Sequence, residues 1–150
     1  MMENKILEHL KLALKGGEKT KVSVLRMLIS EMKNKKIADK TKELADESVI
    51  AIIKKTVRRH NESIAKFAEG NRVDLVEKET EEKGILEEYL PKEMDLEELK
   101  SIILEIIKET EASSIKDMGA VMKAIAIRTK GASDGKMASE IVRKELTKEN

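Results

Sequence analysis

Cysteine and tryptophan are absent from this chain, and proline, tyrosine and phenylalanine occur once each. The first absence removes disulfides, thiol nucleophiles and cysteine-ligated zinc or iron–sulfur centres. With Phe67 and Tyr89 as its only benzenoid rings, the chain must build its core from Leu, Ile, Val, Met and Ala, and it offers almost no surface on which nucleic-acid bases stack. No apolar run approaches the roughly 18 residues that cross a bilayer, and residues 1–20 lack the apolar block of a signal peptide. No membrane association and a cytoplasmic location are therefore expected.

What the sequence has in abundance is charge, 39% of its residues, set among Ala, Leu, Ile and Met in a composition that favours helices over sheets. The formal net charge of +1 hides a segregation of sign. Residues 1–60 carry a net +7, residues 61–111 a net −9 and residues 112–150 a net +3. The basic ends suit an anionic partner and the acidic middle repels one. The same pattern also arises from charged faces compensated within a fold.

Helical periodicity runs along nearly the whole chain, and strand alternation is not seen. A stripe of Leu7, Leu10 and Leu14 stops at Gly16-Gly17, and Val22, Leu25, Ile29 and Met32 form a second at spacings of three and four. Asp46 is placed to cap a third helix bearing Ile50, Ile53, Val57, His60, Ile64 and Phe67 and ending at Gly70. Asn71 with Asp74 suggests a cap for a fourth, whose polar middle, Glu77 to Lys83, is expected to be exposed, and which ends before Pro91. Beyond it, Asp95/Glu98 and Ser114/Asp117 form capping-box pairs, and Asp134 precedes a last helix carrying Met137, Ile141, Val142 and Leu146. The expected fold is all-α in two parts: a longer-helix N-terminal domain over residues 1–93 and a compact three-helix bundle over 94–150.

No pattern specifies a catalytic site, a metal site or a cofactor. The segment Gly131 to Lys136 superficially resembles a phosphate loop, but that motif needs four residues between its glycines and Ser or Thr after the lysine. Here there are three, followed by Met137. His60 falls on the apolar stripe between Val57 and Ile64, where a lone histidine is ordinarily a partly buried, hydrogen-bonded side chain, and His9 has no spaced partner. Carboxylates are too many for one Glu pair to stand out, and runs such as Glu77-Lys78-Glu79 have the pattern of solvated helix faces. The candidate nucleic-acid-binding residues are Lys54, Lys55, Arg58 and Arg59, a ridge on the third helix, and Lys123, Arg128, Lys130 and Lys136 around the glycine turn. Lys33, Lys35 and Lys36 form a further cluster. Such patches can neutralise phosphates, through backbone and shape rather than base identity; each is also what a solvated helix surface looks like.

In order along the chain stand Leu25-Arg26-Met27-Leu28 with Ser30 and Lys33, Glu62-Ser63-Ile64, Gly70-Asn-Arg-Val-Asp-Leu75, Glu88-Tyr89-Leu90-Pro91, Ala112-Ser113-Ser114-Ile-Lys-Asp-Met-Gly119, Val121-Met122-Lys123 and Gly131-x-x-Asp-Gly-Lys136. Through these pieces the chain resembles the YqeY family over nearly its full length. A common form of the turn has a basic residue after its first glycine, where this chain has Ala132. The resemblance implies an all-helical fold whose second part is similar to the tail of GatB, a subunit of a tRNA-dependent amidotransferase, where the tail helps hold tRNA. It implies a non-catalytic accessory module with tRNA, or an amidotransferase–tRNA complex, as partner. A protein–protein adaptor is the first alternative. The second is a carbon–nitrogen ligase using glutamine as amide donor, a label that homology alone carries.

Overall fold

The computed structural model of the protein describes residues 1–148, and among them every regular element is helical. Contacts divide the chain into two compact units, one ending at Leu90 and the other beginning at Pro91.

The first unit contains α1 (Met2–Lys15), α2 (Lys19–Asp39), α3 (Asp46–Glu69) and α4 (Val73–Glu87). Its core gathers Ile6 of α1, Val24, Leu25, Leu28 and Met32 of α2, Leu44 of the connection that follows, Val49 and Ile53 of α3, and Leu86 and Tyr89. Burying an Ile or Leu side chain contributes about 1.5–3 kcal/mol, so these aliphatic contacts fix how the four helices face one another. The buried stripe of α1 differs from the leucine pattern: Ile6 and Ala13 are buried while Leu7 and Leu14 are exposed. The helix is turned about one residue from the expected face because Glu3 is also drawn inward, where its carboxylate accepts the Leu44 backbone N–H at 3.3 Å and pairs with Lys36.

The expected caps of α3 and α4 shift by one residue. Ala45, not Asp46, is the N-cap of α3, and Asp46 instead accepts the backbone N–H of Met2 at 2.9 Å, tying α1 to α3. Arg72 is the N-cap of α4, because Asn71 takes a left-handed conformation (φ 56°) that closes α3. The middle of α4 is not uniformly exposed: Glu77, Lys78, Thr80 and Glu81 face solvent, while Glu79, Glu82 and Lys83 are half-buried.

The second unit contains α5 (Leu96–Thr110), a single 3-10 turn (Ile115–Asp117), α6 (Met118–Arg128) and α7 (Gly135–Thr147). Leu99, Ile103 and Ile106 meet Val121 and Ile125 and then Ala138, Val142 and Leu146 in a second core. Asp95 is the N-cap of α5, but no side-chain hydrogen bond among the described residues completes a capping box there. The Ser114/Asp117 box is complete, with Asp117 accepting the backbone N–H groups of Ser113 at 2.9 Å and Ser114 at 3.2 Å. Those two bonds hold the Asp117 carboxyl below the ordinary carboxylate range.

Candidate functional site

The eight basic residues expected to meet phosphate divide between the two units. On α3, Lys55, Arg58 and Arg59 are exposed and Lys54 is half-buried. Arg59 is engaged: it donates to the Glu31 carboxylate at 2.6 Å and to Thr56 at 3.2 Å, bracing α3 against α2. The neighbouring lysine cluster of α2 is partly consumed too, with Lys35 paired to Asp39 at 3.2 Å and Lys36 to Glu3. In the second unit Lys123, Arg128, Lys130 and Lys136 are all exposed. Arg128 is tied to Glu109 and lies 3.7 Å from Glu105, and its hydrogen bond with Glu109 holds the guanidinium proton above its ordinary affinity. Among the described residues Lys55, Arg58, Lys123, Lys130 and Lys136 have no ion-pair partner within 4 Å.

The glycine turn has a structural occupation of its own. Lys130 and Gly131 both take positive φ (51° and 78°), and the Asp134 carboxylate accepts the Lys136 and Met137 N–H groups at 2.9 and 3.3 Å. The amides that would cradle a phosphate at the start of α7 are thus already bonded to a carboxylate of the same turn.

A cluster that the linear sequence does not announce lies between α3 and α4. His60 Nδ1 stands 2.5 Å from Glu79 Oε2 and 3.9 Å from Glu82 Oε2, and the three side chains are only 15–21% exposed. One donor atom from each lies within 4.8 Å of the others, a separation at which the three can converge on one cation. Beside them opens a cleft of about 30 Å³ lined by Val24, Met27, Leu28 and Leu86 with Ser23, Glu31, Thr56, His60 and Glu82, room for a water molecule or two. The sequence carries a weak form of the signal for this cluster. Leu75, Glu79, Glu82 and Leu86 follow each other at spacings of four, three and four, so the inward stripe of α4 is interrupted by two carboxylates in register. His60 sits on the facing stripe, and nothing in a one-dimensional pattern states that the two stripes meet.

A model of the Yqey-like protein family matches residues 3–146. The chain belongs to the YqeY family. Among curated relatives, the altered inheritance of mitochondria protein 41, mitochondrial, of Kluyveromyces lactis is 34% identical over 112 residues, covering 71% of this chain and 60% of the relative. The protein of the same name from Candida glabrata is 33% identical over 110 residues, with coverage of 71% and 60%. That from Pyrenophora tritici-repentis is 31% identical over 134 residues, with coverage of 82% and 72%. The chain thus spans about 60% of the length of the first two of these relatives. Among the described residues of this YqeY chain, no helix is long and apolar enough to cross a membrane.

The second histidine also finds a partner across the fold. His9 Nδ1 and the Tyr89 hydroxyl are 2.6 Å apart, their ring centroids 5.5 Å. Burial, with a smaller contribution from the Glu88 charge, pushes the Tyr89 phenol up to about 12. Chemically, then, this YqeY protein presents two kinds of site: exposed lysines able to neutralise an anion, and one enclosed histidine–carboxylate group able to hold a proton or a cation.

Proposed function

We propose that this YqeY protein is a non-catalytic accessory module that binds tRNA, alone or within an amidotransferase–tRNA complex. The observation that carries the reading is the set of exposed cations of the second unit, Lys123 on α6 and Lys130 and Lys136 at the turn that follows it, which have no ion-pair partner among the described residues. The resemblance of this part of the chain to the tail of GatB supports the same partner. Lys55 and Arg58 on α3 supply a second contact; Arg59 and Arg128, held by carboxylates, contribute less than their charge suggests. Recognition of this kind depends on backbone and shape. It belongs in an aqueous compartment where tRNA is charged: the cytoplasm, or the interior of the organelle that the relatives' name specifies.

The test is a binding isotherm with unfractionated tRNA at several salt concentrations. Three phosphate contacts give a slope of log affinity against log salt of about −2 to −3, and each lysine removed flattens it by about one. A K123E/K130E/K136E variant that keeps its far-ultraviolet circular dichroism and binds with unchanged affinity and slope would show the assignment to be wrong. Absence of saturable binding by the parent protein at low salt favours the adaptor reading instead. That reading has its own support in the groove between α1 and α2, where Leu14, Val22 and the 63% exposed Met27 stand beside Lys19, Ser23 and Arg26.

A further inference from the structure

We propose that His60, Glu79 and Glu82 form a binding site for one divalent transition-metal ion of the zinc class, held between α3 and α4 and open toward the adjoining cleft.

Charge favours a cation between these helices. Glu79 and Glu82 are one turn apart on α4 and largely withdrawn from solvent, and among the described residues no lysine or arginine lies within 4 Å of either carboxylate. Two neighbouring, partly buried carboxylates repel each other, and a single imidazole offsets at most half of that charge. A divalent cation offsets all of it.

Geometry points the same way. Donors around a tetrahedral zinc at about 2.0–2.1 Å stand roughly 3.3 Å apart. The separations from His60 Nδ1 to the two carboxylates, 2.5 and 3.9 Å, bracket that distance, so a change of about 1 Å in the Glu rotamers converts the present arrangement into a coordination shell. A nitrogen and an oxygen only 2.5 Å apart must share a proton, since two lone pairs do not approach so closely. The ion takes the place of that proton, which passes to Nε2 or to solvent.

The donor set selects the class of ion. One imidazole and two carboxylates suit zinc, cobalt, manganese or ferrous iron better than the soft ions that prefer thiolate or the large ones that require six or more oxygens. Three protein ligands leave a position for water. His60 and Glu82 both line the cleft, whose volume of about 30 Å³ admits one.

The test uses the full chain, stripped with chelator, and Zn2+ or Co2+ alone as probe. Equilibrium dialysis is expected to give saturable uptake of one ion per chain, and Co2+ to develop visible bands distinct from those of the hexaaqua ion. H60Q, and separately the isosteric E79Q/E82Q, are expected to weaken uptake by more than about tenfold, beyond what the loss of an outer hydrogen-bond partner costs. H9Q, which removes the other imidazole, retains it. The double glutamine variant keeps the shape of the site, so it reports on ligation even if H60Q fails to fold. Absence of saturable uptake by the parent chain, uptake unchanged in E79Q/E82Q, or equal loss in H9Q would each overturn the proposal and leave His60 as a hydrogen-bonded clamp between two helices.

Discussion

His60 sits where an apolar side chain would normally pack, with Val57 and Ile64 as its neighbours on the stripe and Leu28, Met27 and Leu86 around the adjoining cleft. Replacing it by Leu removes its bond to Glu79 but adds aliphatic contact, and the two carboxylates, each about one-fifth exposed, still reach water. H60L is therefore expected to fold, with stability lower by about 1–2 kcal/mol, measured by urea denaturation; unfolding of the variant in water would show that the polar contact organises the helix pair. Tyr89 gives a second expectation at this scale. Its phenol titrates near 12 in the folded chain against an ordinary value of about 10. The neutral form is favoured by folding, so this contribution to stability is complete below pH 10 and is lost as pH rises through 12. Because Tyr89 is the only tyrosine, the phenolate absorbance reports it alone, and the native midpoint should lie about two units above that in denaturant. Y89F should abolish the difference in alkaline stability while also losing the His9 bond. His60 is legible in the sequence as a partly buried residue of a stripe, whereas His9 has no such mark, and the partners of both are hidden: Glu79 and Tyr89 lie 19 and 80 residues away, and a single sequence holds no record of such pairings.

At the scale of the element, five helices end in one way. The chain turns through a left-handed residue, and the backbone N–H that follows it, or in α6 that of Gly131, reaches back five residues: Glu18 to Ala13, Thr41 to Lys36, Arg72 to Phe67, Ala112 to Ile107 and Gly131 to Ala126. This closure satisfies carbonyls that the last turn leaves without partners. Gly17 takes the left-handed position after α1 (φ 66°), which is why the Gly16-Gly17 pair marks that end so clearly. After α2 and α5 the position is held by Lys40 and Glu111, residues with no such preference, so the stop signals there are weak. E111G should stabilise the second unit by about 0.5–1 kcal/mol, the left-handed penalty relieved exceeding the added chain entropy; a lowered thermal midpoint would show that Glu111 has compensating contacts. Conversely, D134A removes the acceptor for two N–H groups of α7 and should cost about 1 kcal/mol, read as a lower urea midpoint. Helix starts are less legible than helix existence. Asp46 shows why: its side chain is an ordinary cap former, yet it is taken by the Met2 amide, a tertiary bond that local spacing does not encode.

Across the whole molecule, the aliphatic composition supplies two cores that share no residue, one ending at Tyr89 with Leu90 packed against it and the other beginning at Leu99. The all-helical character follows from composition and periodicity together, and is legible in the sequence itself. The grouping of charges is not legible as function in the same way, because spacing along a helix does not show which cations a distant carboxylate has already claimed, as Glu31 claims Arg59 and Glu109 claims Arg128. The separation of the cores carries the last expectation. Ile103 is fully buried and belongs to the second core, so I103A leaves a cavity among α5, α6 and α7 and should destabilise that unit by about 2–5 kcal/mol. Hydrogen exchange on the full chain reads the result unit by unit. Amides of α5, α6 and α7 should exchange faster by the corresponding factor, while those around Leu25 and Ile53 in the first core keep their protection. An equal loss of protection at Leu25 and Ile53 would mean that the two cores unfold as one cooperative body, in spite of having no side chain in common.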